Sequence, residues 1–84
     1  MERNHVLNVV IKHIKLNIDN LDKVEIDPTR SMASYGSSSL DTVEIVSGVM
    51  RELKIRVPRT KLANLGNINE LVDLFLQTAN SSVA

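Results

Sequence analysis

The chain predicts an all-α fold: a small four-helix bundle of three main helices and one short helix, with a long loop between helices one and two. Three observations carry that expectation. Apolar residues recur at helical spacing in three separate segments. No segment shows the apolar/polar alternation of a half-buried strand. A chain of 84 residues without cysteine must rest on one apolar core, since no metal-thiolate or disulfide staple is available. We expect a single domain over residues 1–84, with no room for a second and no internal repeat.

In the segment HVLNVVIKHIKLNI, Leu7, Val10, Ile11, Ile14 and Ile18 follow the i, i+3, i+4, i+7 rule, laying one apolar stripe along helix one and leaving Lys12, His13 and Lys15 outside it. From Asp19 to Ser38 the periodicity stops. The stretch DPTRSMASYGSSS is dense in proline, serine, glycine and threonine, which favour turns and compete for backbone hydrogen bonds. So long a connector in so small a domain points to function, and Val24, Ile26 and Met32 are its expected anchors in the core. Helix two follows, with Thr42, Ile45, Val46, Val49, Met50 and Leu53 on its buried face. It ends near KIRVPR, because Pro58 cannot continue a helix and drives Val57 toward an extended backbone. A short helical turn around Arg59 to Asn64 is anchored by Leu62 and Leu65, and Gly66 then breaks the chain. In NINELVDLFLQTA, Asn67 is the expected cap and Glu70 its capping-box partner, with Ile68, Leu71, Val72 and Phe75 as the buried face of the last helix.

Ten Lys and Arg balance ten Asp and Glu, and the balance holds in each part of the chain, with five of each sign in residues 1–30 and five in 31–84. Such a chain offers no basic footprint for a phosphate backbone. One Tyr and one Phe provide no platform for stacked bases, so nucleic acid is not expected as a partner. No apolar run approaches the roughly 20 residues that cross a bilayer, and the N-terminus lacks a signal-peptide stretch. The expectation is a soluble, cytoplasmic monomer without a membrane partner. His5 and His13 stand eight residues apart, not at the i, i+4 spacing of a helical zinc pair, and both read as surface residues. No metal site is expected.

The run of three serines, in YGSSSLDTVEIV, opens helix two. If Ser38 is the N-cap, its hydroxyl accepts from the Asp41 amide while the Asp41 carboxylate reaches back, a capping box with Asp in place of Glu. A boundary shift of one residue would give the same task to Ser37. Ser39 then falls at the first helical position, opposite the buried stripe, beside free amides and the positive end of the helix dipole, where a phosphate ester is favoured. Leu40 and Val43 share its outward side with Asp41 and Glu44 alongside, which gives a small apolar patch rimmed by acids. A nucleophile elbow, G-x-S-x-G, is not formed, since no glycine follows Ser39 at the required place, and the chain is too short for the sheet that elbow needs. No catalytic residue is expected.

The stretch GSSSLDTVE resembles the modification site of the acyl carrier proteins, whose usual form is G-x-D-S-L-D-x-V-E at the start of the second helix. The likeness covers Gly36, Ser39, Leu40, Asp41, Thr42, Val43 and Glu44. It extends over nearly the whole chain: a first helix, a long loop, the serine-bearing helix, an I-x-V-P break at Ile55 to Pro58, a short third helix and a fourth. The resemblance implies that Ser39 takes a 4'-phosphopantetheine arm as a phosphodiester, installed by a phosphopantetheinyl transferase, while Ser38 caps and Ser37 is linker. It implies a carrier and not an enzyme. The arm's thiol would hold acyl groups as thioesters and present them to separate acyl-loading and acyl-transfer enzymes, at a local concentration set by the tether.

Two departures from the family pattern sharpen the expectation. Ser38 replaces the usual Asp, which keeps the cap but removes a charge beside the phosphate. The chain is neutral where carriers of fatty-acid synthesis are strongly acidic, and Arg56, Arg59 and Lys61 cluster after helix two where such carriers often have acids. We therefore expect a discrete carrier of a polyketide or mixed polyketide-peptide pathway. It would dock through Leu40, Asp41, Val43 and Glu44 with Arg56 and Arg59, on a ketosynthase or as acetyl donor to a hydroxymethylglutaryl (HMG)-synthase-like β-branching enzyme. A fatty-acid carrier, a peptidyl carrier and an unmodified helical interaction module are the alternatives.

Overall fold

The computed structural model describes residues 2–62 and 65–81, apart from the side chains of Arg59 and Ser81. In chain order it contains α1 (Arg3–Asn17), a 3-10 turn (Ala33–Tyr35), α2 (Ser39–Leu53), α3 (Arg59–Leu62) and α4 (Ile68–Ser81), with no strand among the described residues. The expected all-α bundle with one short helix is what forms. The Asn64 end of the short helix lies outside the described residues.

Helix α1 packs against both α2 and α4. Two neighbours widen and rotate its buried face beyond the stripe read from spacing: Val6, Val9, Val10 and Ile14 are buried, while Leu7 and Ile11 are only partly covered. Arg3 fastens the start of α1 to α4 by an ion pair with Asp73 and a 3.0 Å hydrogen bond to the side-chain oxygen Oδ1 of Asn69. Against α2 the decisive position is Gly48, where an added Cβ would lie 2.5 Å from the His13 ring. His13 is thus no surface residue. Its side chain is 15% exposed and its Nε2 sits 2.9 Å from Glu52 Oε1, so that the ring must donate to a carboxylate that can only accept. Lys12 donates to the same carboxylate at 2.6 Å. His5 does lie on the surface.

The core is aliphatic around a single ring. Phe75 is the largest fully buried side chain, with Ile45, Val46 and Val49 of α2 and Ile68, Leu71 and Val72 of α4 also inside, and no described polar or charged residue is buried. Such a core is held by apolar burial, which contributes about 25 cal/mol per Å² removed from water.

The connector from α1 to α2 is ordered by its own turn chemistry. Leu21 and Ile26 are its buried anchors, and Met32 packs against the core from the edge. Val24, expected as an anchor, is 36% exposed, and Leu21 is buried instead. Asp27 Oδ1 accepts from the Thr29 amide at 2.9 Å and from the Thr29 hydroxyl at 2.6 Å, and the Tyr35 hydroxyl accepts from the Asp27 amide at 2.6 Å. These Thr29 bonds, with the Arg30 charge as a lesser contribution, hold the Asp27 carboxyl below the usual carboxylate range. The Arg30 guanidinium stacks over the Tyr35 ring, 4.6 Å from its centre. The turn then meets α4. The Ile68 amide donates to the Arg30 carbonyl at 3.0 Å and the Asn69 amide to the Pro28 carbonyl at 2.8 Å. Asn67 caps α4 as expected through its side chain, which accepts from the Glu70 amide at 2.9 Å. The Glu70 carboxylate, however, binds the Gly66 amide and not that of Asn67, so the reciprocal bond falls one residue early.

Helix α2 ends at Lys54, which adopts the left-handed conformation with φ of 57°. The Lys54 amide bonds back to the Met50 carbonyl, as does that of Ile55 at 3.1 Å, and the Met50 sulfur accepts from the Val57 amide at 3.3 Å. One methionine therefore holds the connector that leads to α3.

Candidate functional site at the start of α2

The chain reaches α2 through a reversal at Gly36. This residue ends the 3-10 turn at φ of 97°, with its amide bonded to the Ala33 carbonyl and the Ser37 amide to that of Met32. A Cβ at Gly36 would meet nothing closer than 4.0 Å, so glycine is needed for its backbone conformation and not for space.

The three serines divide as geometry requires. Ser38, in extended conformation, accepts from the Asp41 amide at 3.1 Å while its own amide donates to Asp41 Oδ2 at 2.9 Å. The capping box is complete and belongs to Ser38, not Ser37. Ser37 is also more than linker. Its hydroxyl lies 2.9 Å from that of Thr42, within hydrogen-bond distance, and Thr42 is also 3.1 Å from the Ser38 carbonyl. The i, i+5 spacing of two hydroxyls gives no familiar signal in a sequence, which is why this tie was not foreseen. Ser39 opens the helix and is exposed, and its hydroxyl has no hydrogen-bond partner among the described residues.

Electrostatics favour an anion there. With the Asp41 amide held by Ser38 Oγ and the Thr42 amide by the Ser38 carbonyl, the amides of Ser39 and Leu40 have no partner among the described residues at the positive end of a 15-residue helix. The Asp41 carboxylate, folded back into the cap, does not compete for that space. A phosphodiester on Ser39 therefore fits this position.

Around Ser39 the expected patch is present. Leu40 is 70% exposed, Val43 46%, and Glu44 is exposed beside them, whereas Asp41 is partly covered by its cap bonds. Arg56 is exposed beyond the far end of α2 and Lys61 is exposed on α3, while the Arg59 side chain lies outside what the structure describes. On the inner side of the loop, a cavity of 160 Å³ is lined by Met32, Ala33, Thr42, Val46, Leu62 and Leu71, among others. No cluster of His, Asp or Glu that could hold a metal ion is present among the described residues.

Ser39 thus presents an exposed hydroxyl, without a hydrogen-bond partner among the described residues, at the head of an amphipathic helix. Comparison with known proteins makes the class specific. Residues 9–75 match the family described as "Phosphopantetheine attachment site", and the chain belongs to it: this is an acyl carrier protein, of a family whose cofactor is covalent 4'-phosphopantetheine. It is 27% identical over 82 residues to the "Polyketide biosynthesis acyl-carrier-protein AcpK" of Bacillus subtilis (strain 168), a match covering 98% of this chain and 100% of that protein. Among solved structures it resembles a chain of the "Crystal Structure of the Curacin Biosynthetic Pathway HMG Synthase in Complex with Acetyl Donor-ACP", with TM-score 0.82 and 34% identity over 94% of this chain and 99% of that one.

Proposed function

We propose that Ser39 bears the 4'-phosphopantetheine arm and that the protein is a discrete, monomeric, cytoplasmic carrier of a polyketide or mixed polyketide-peptide pathway, most specifically an acetyl donor to an HMG-synthase-like enzyme. The observation that carries the reading is the Ser39 hydroxyl at the first position of α2, which, like the two amides beside it, has no partner among the described residues. The acetyl-donor role is supported by the carrier bound to an HMG synthase, which this chain resembles over nearly its whole length. The polyketide pathway is supported by the Bacillus subtilis relative, a polyketide biosynthesis acyl-carrier protein.

In this reading a phosphopantetheinyl transferase loads Ser39, and the attached arm supplies a thiol for thioester formation. The side chains of the carrier position and present. Ser38 and Asp41 fix the helix start, the amides of Ser39 and Leu40 face the phosphodiester, and Leu40, Val43 and Glu44 meet the partner with Arg56 and Arg59 at the other end. The protein makes and breaks no bond of its own. The 160 Å³ cavity suits a small cargo, since a cavity of about 150 Å³ accommodates one benzene-sized group.

Intact mass after incubation with coenzyme A and a promiscuous phosphopantetheinyl transferase tests the assignment. The wild type should gain one phosphopantetheine, Ser39→Ala none, and Ser37→Ala and Ser38→Ala one each. A gain that survives in Ser39→Ala, or none in the folded wild type, sinks it.

A further inference from the structure

The solvent face of α2 carries charges of opposite sign at its two ends. Leu40, Glu44, Ser47 and Arg51 follow one another at i, i+4, i+7 and i+11, on the side of the helix away from buried Ile45, Val49 and Leu53. Glu44 and Asp41 lie in its first half, next to Ser39. Arg51, Lys54 and Arg56 lie in its last turn and just beyond, all exposed. The acid of that last turn, Glu52, is turned to α1 and held by Lys12 and His13, leaving the three cations with no ion pair among the described residues. These cations, with Met50 and Ile55, line a single hollow at the end of the helix. Seven residues of helix separate Glu44 from Arg51, about 10 Å along the axis. That exceeds the roughly 8 Å screening length at physiological salt, so a partner meets the two ends as separate charges.

We infer that this strip is a polarised docking surface for an acyl-handling enzyme that presents bases near the Ser39 end and carboxylates to the Met50–Ile55 hollow, with Leu40 and Val43 as the apolar contact at the Ser39 end. The inference rests on the carrier reading for the role of Ser39. Its physical content is directional. A uniformly basic docking patch is attracted by Glu44 and Asp41 but repelled by Arg51, Lys54 and Arg56, whereas a patch of matching polarity is attracted at both ends and accepts α2 in one direction only. Lys54 contributes because its left-handed backbone ends the helix there and leaves its side chain exposed.

The test uses acetyl-loaded protein, confirmed by intact mass for each variant, with the HMG synthase of the curacin pathway as probe enzyme. R51E/R56E and E44K should each lower kcat/KM for acetyl transfer about five- to ten-fold at low salt, an effect of the size expected for rim charges. The deficit should shrink in 0.5 M salt. Circular dichroism checks that the variants remain folded. Unchanged or faster transfer by R51E/R56E overturns the polarised strip, as does absence of transfer from fully loaded wild type. Failure of loading itself, by contrast, strikes the carrier reading and not the strip alone.

Discussion

Gly48 stands in the middle of α2, where glycine costs about 1 kcal/mol against alanine, because the His13 ring of α1 occupies the space a Cβ would take. Gly48→Ala should therefore destabilise the protein, by about 1–3 kcal/mol as for other overpacked sites, and His13→Ala/Gly48→Ala should recover part of the loss. Urea titration of the two variants beside the wild type measures both. The partner of His13 makes a second prediction. Hydrogen bonds from Lys12 first, and then from His13, hold the Glu52 carboxyl below the usual carboxylate range. A carboxyl depressed in the folded state adds stability that is present above its unfolded value, near pH 4.3, and is lost as the pH falls through the lowered folded value. The urea midpoint should thus fall with acid in that window, and Glu52→Gln should flatten the fall. At this scale the sequence was only partly legible. A glycine inside a helical pattern is a visible signal, but which ring fills its place depends on the α1–α2 crossing, and His13 accordingly read as a surface residue.

Among elements, α2 was the most legible, since its cap, its buried face and its end are written within consecutive residues: Ser38 with Asp41 at one end, Pro58 beyond the other. Helix α1 was less so. Its face follows from having two neighbours, and Val9, outside the stripe read from spacing, is buried. The C-terminus of α2 carries its own prediction. Lys54 occupies a left-handed position that suits glycine, so Lys54→Gly should stabilise the fold by roughly 0.5–1 kcal/mol, read as a higher melting temperature. The same change removes one of the three cations of the docking strip, so stability and acetyl transfer should move in opposite directions.

For the molecule as a whole, one aromatic ring organises the core. Phe75→Ala should cost about 3–5 kcal/mol, set against the roughly 0.05–0.15 kcal/mol per residue that small domains retain. A thermal melt should show that variant largely or wholly unfolded at 37 °C. The four-helix architecture was legible because periodicity and punctuation are local, and the exposed Ser39 at the head of α2 because its surroundings lie within one turn. What could not be read was how the connector meets α4, since the bonds from Ile68 to Arg30 and from Asn69 to Pro28 join backbone groups with no side-chain signature. These two bonds also couple the connector that delivers the chain to Gly36 and Ser38 to the first turn of α4, so that loosening one exposes backbone groups of the other. Amide exchange at Ile68, Asn69, Tyr35 and Gly36 should accordingly show a common opening, because the two segments open as one cooperative unit.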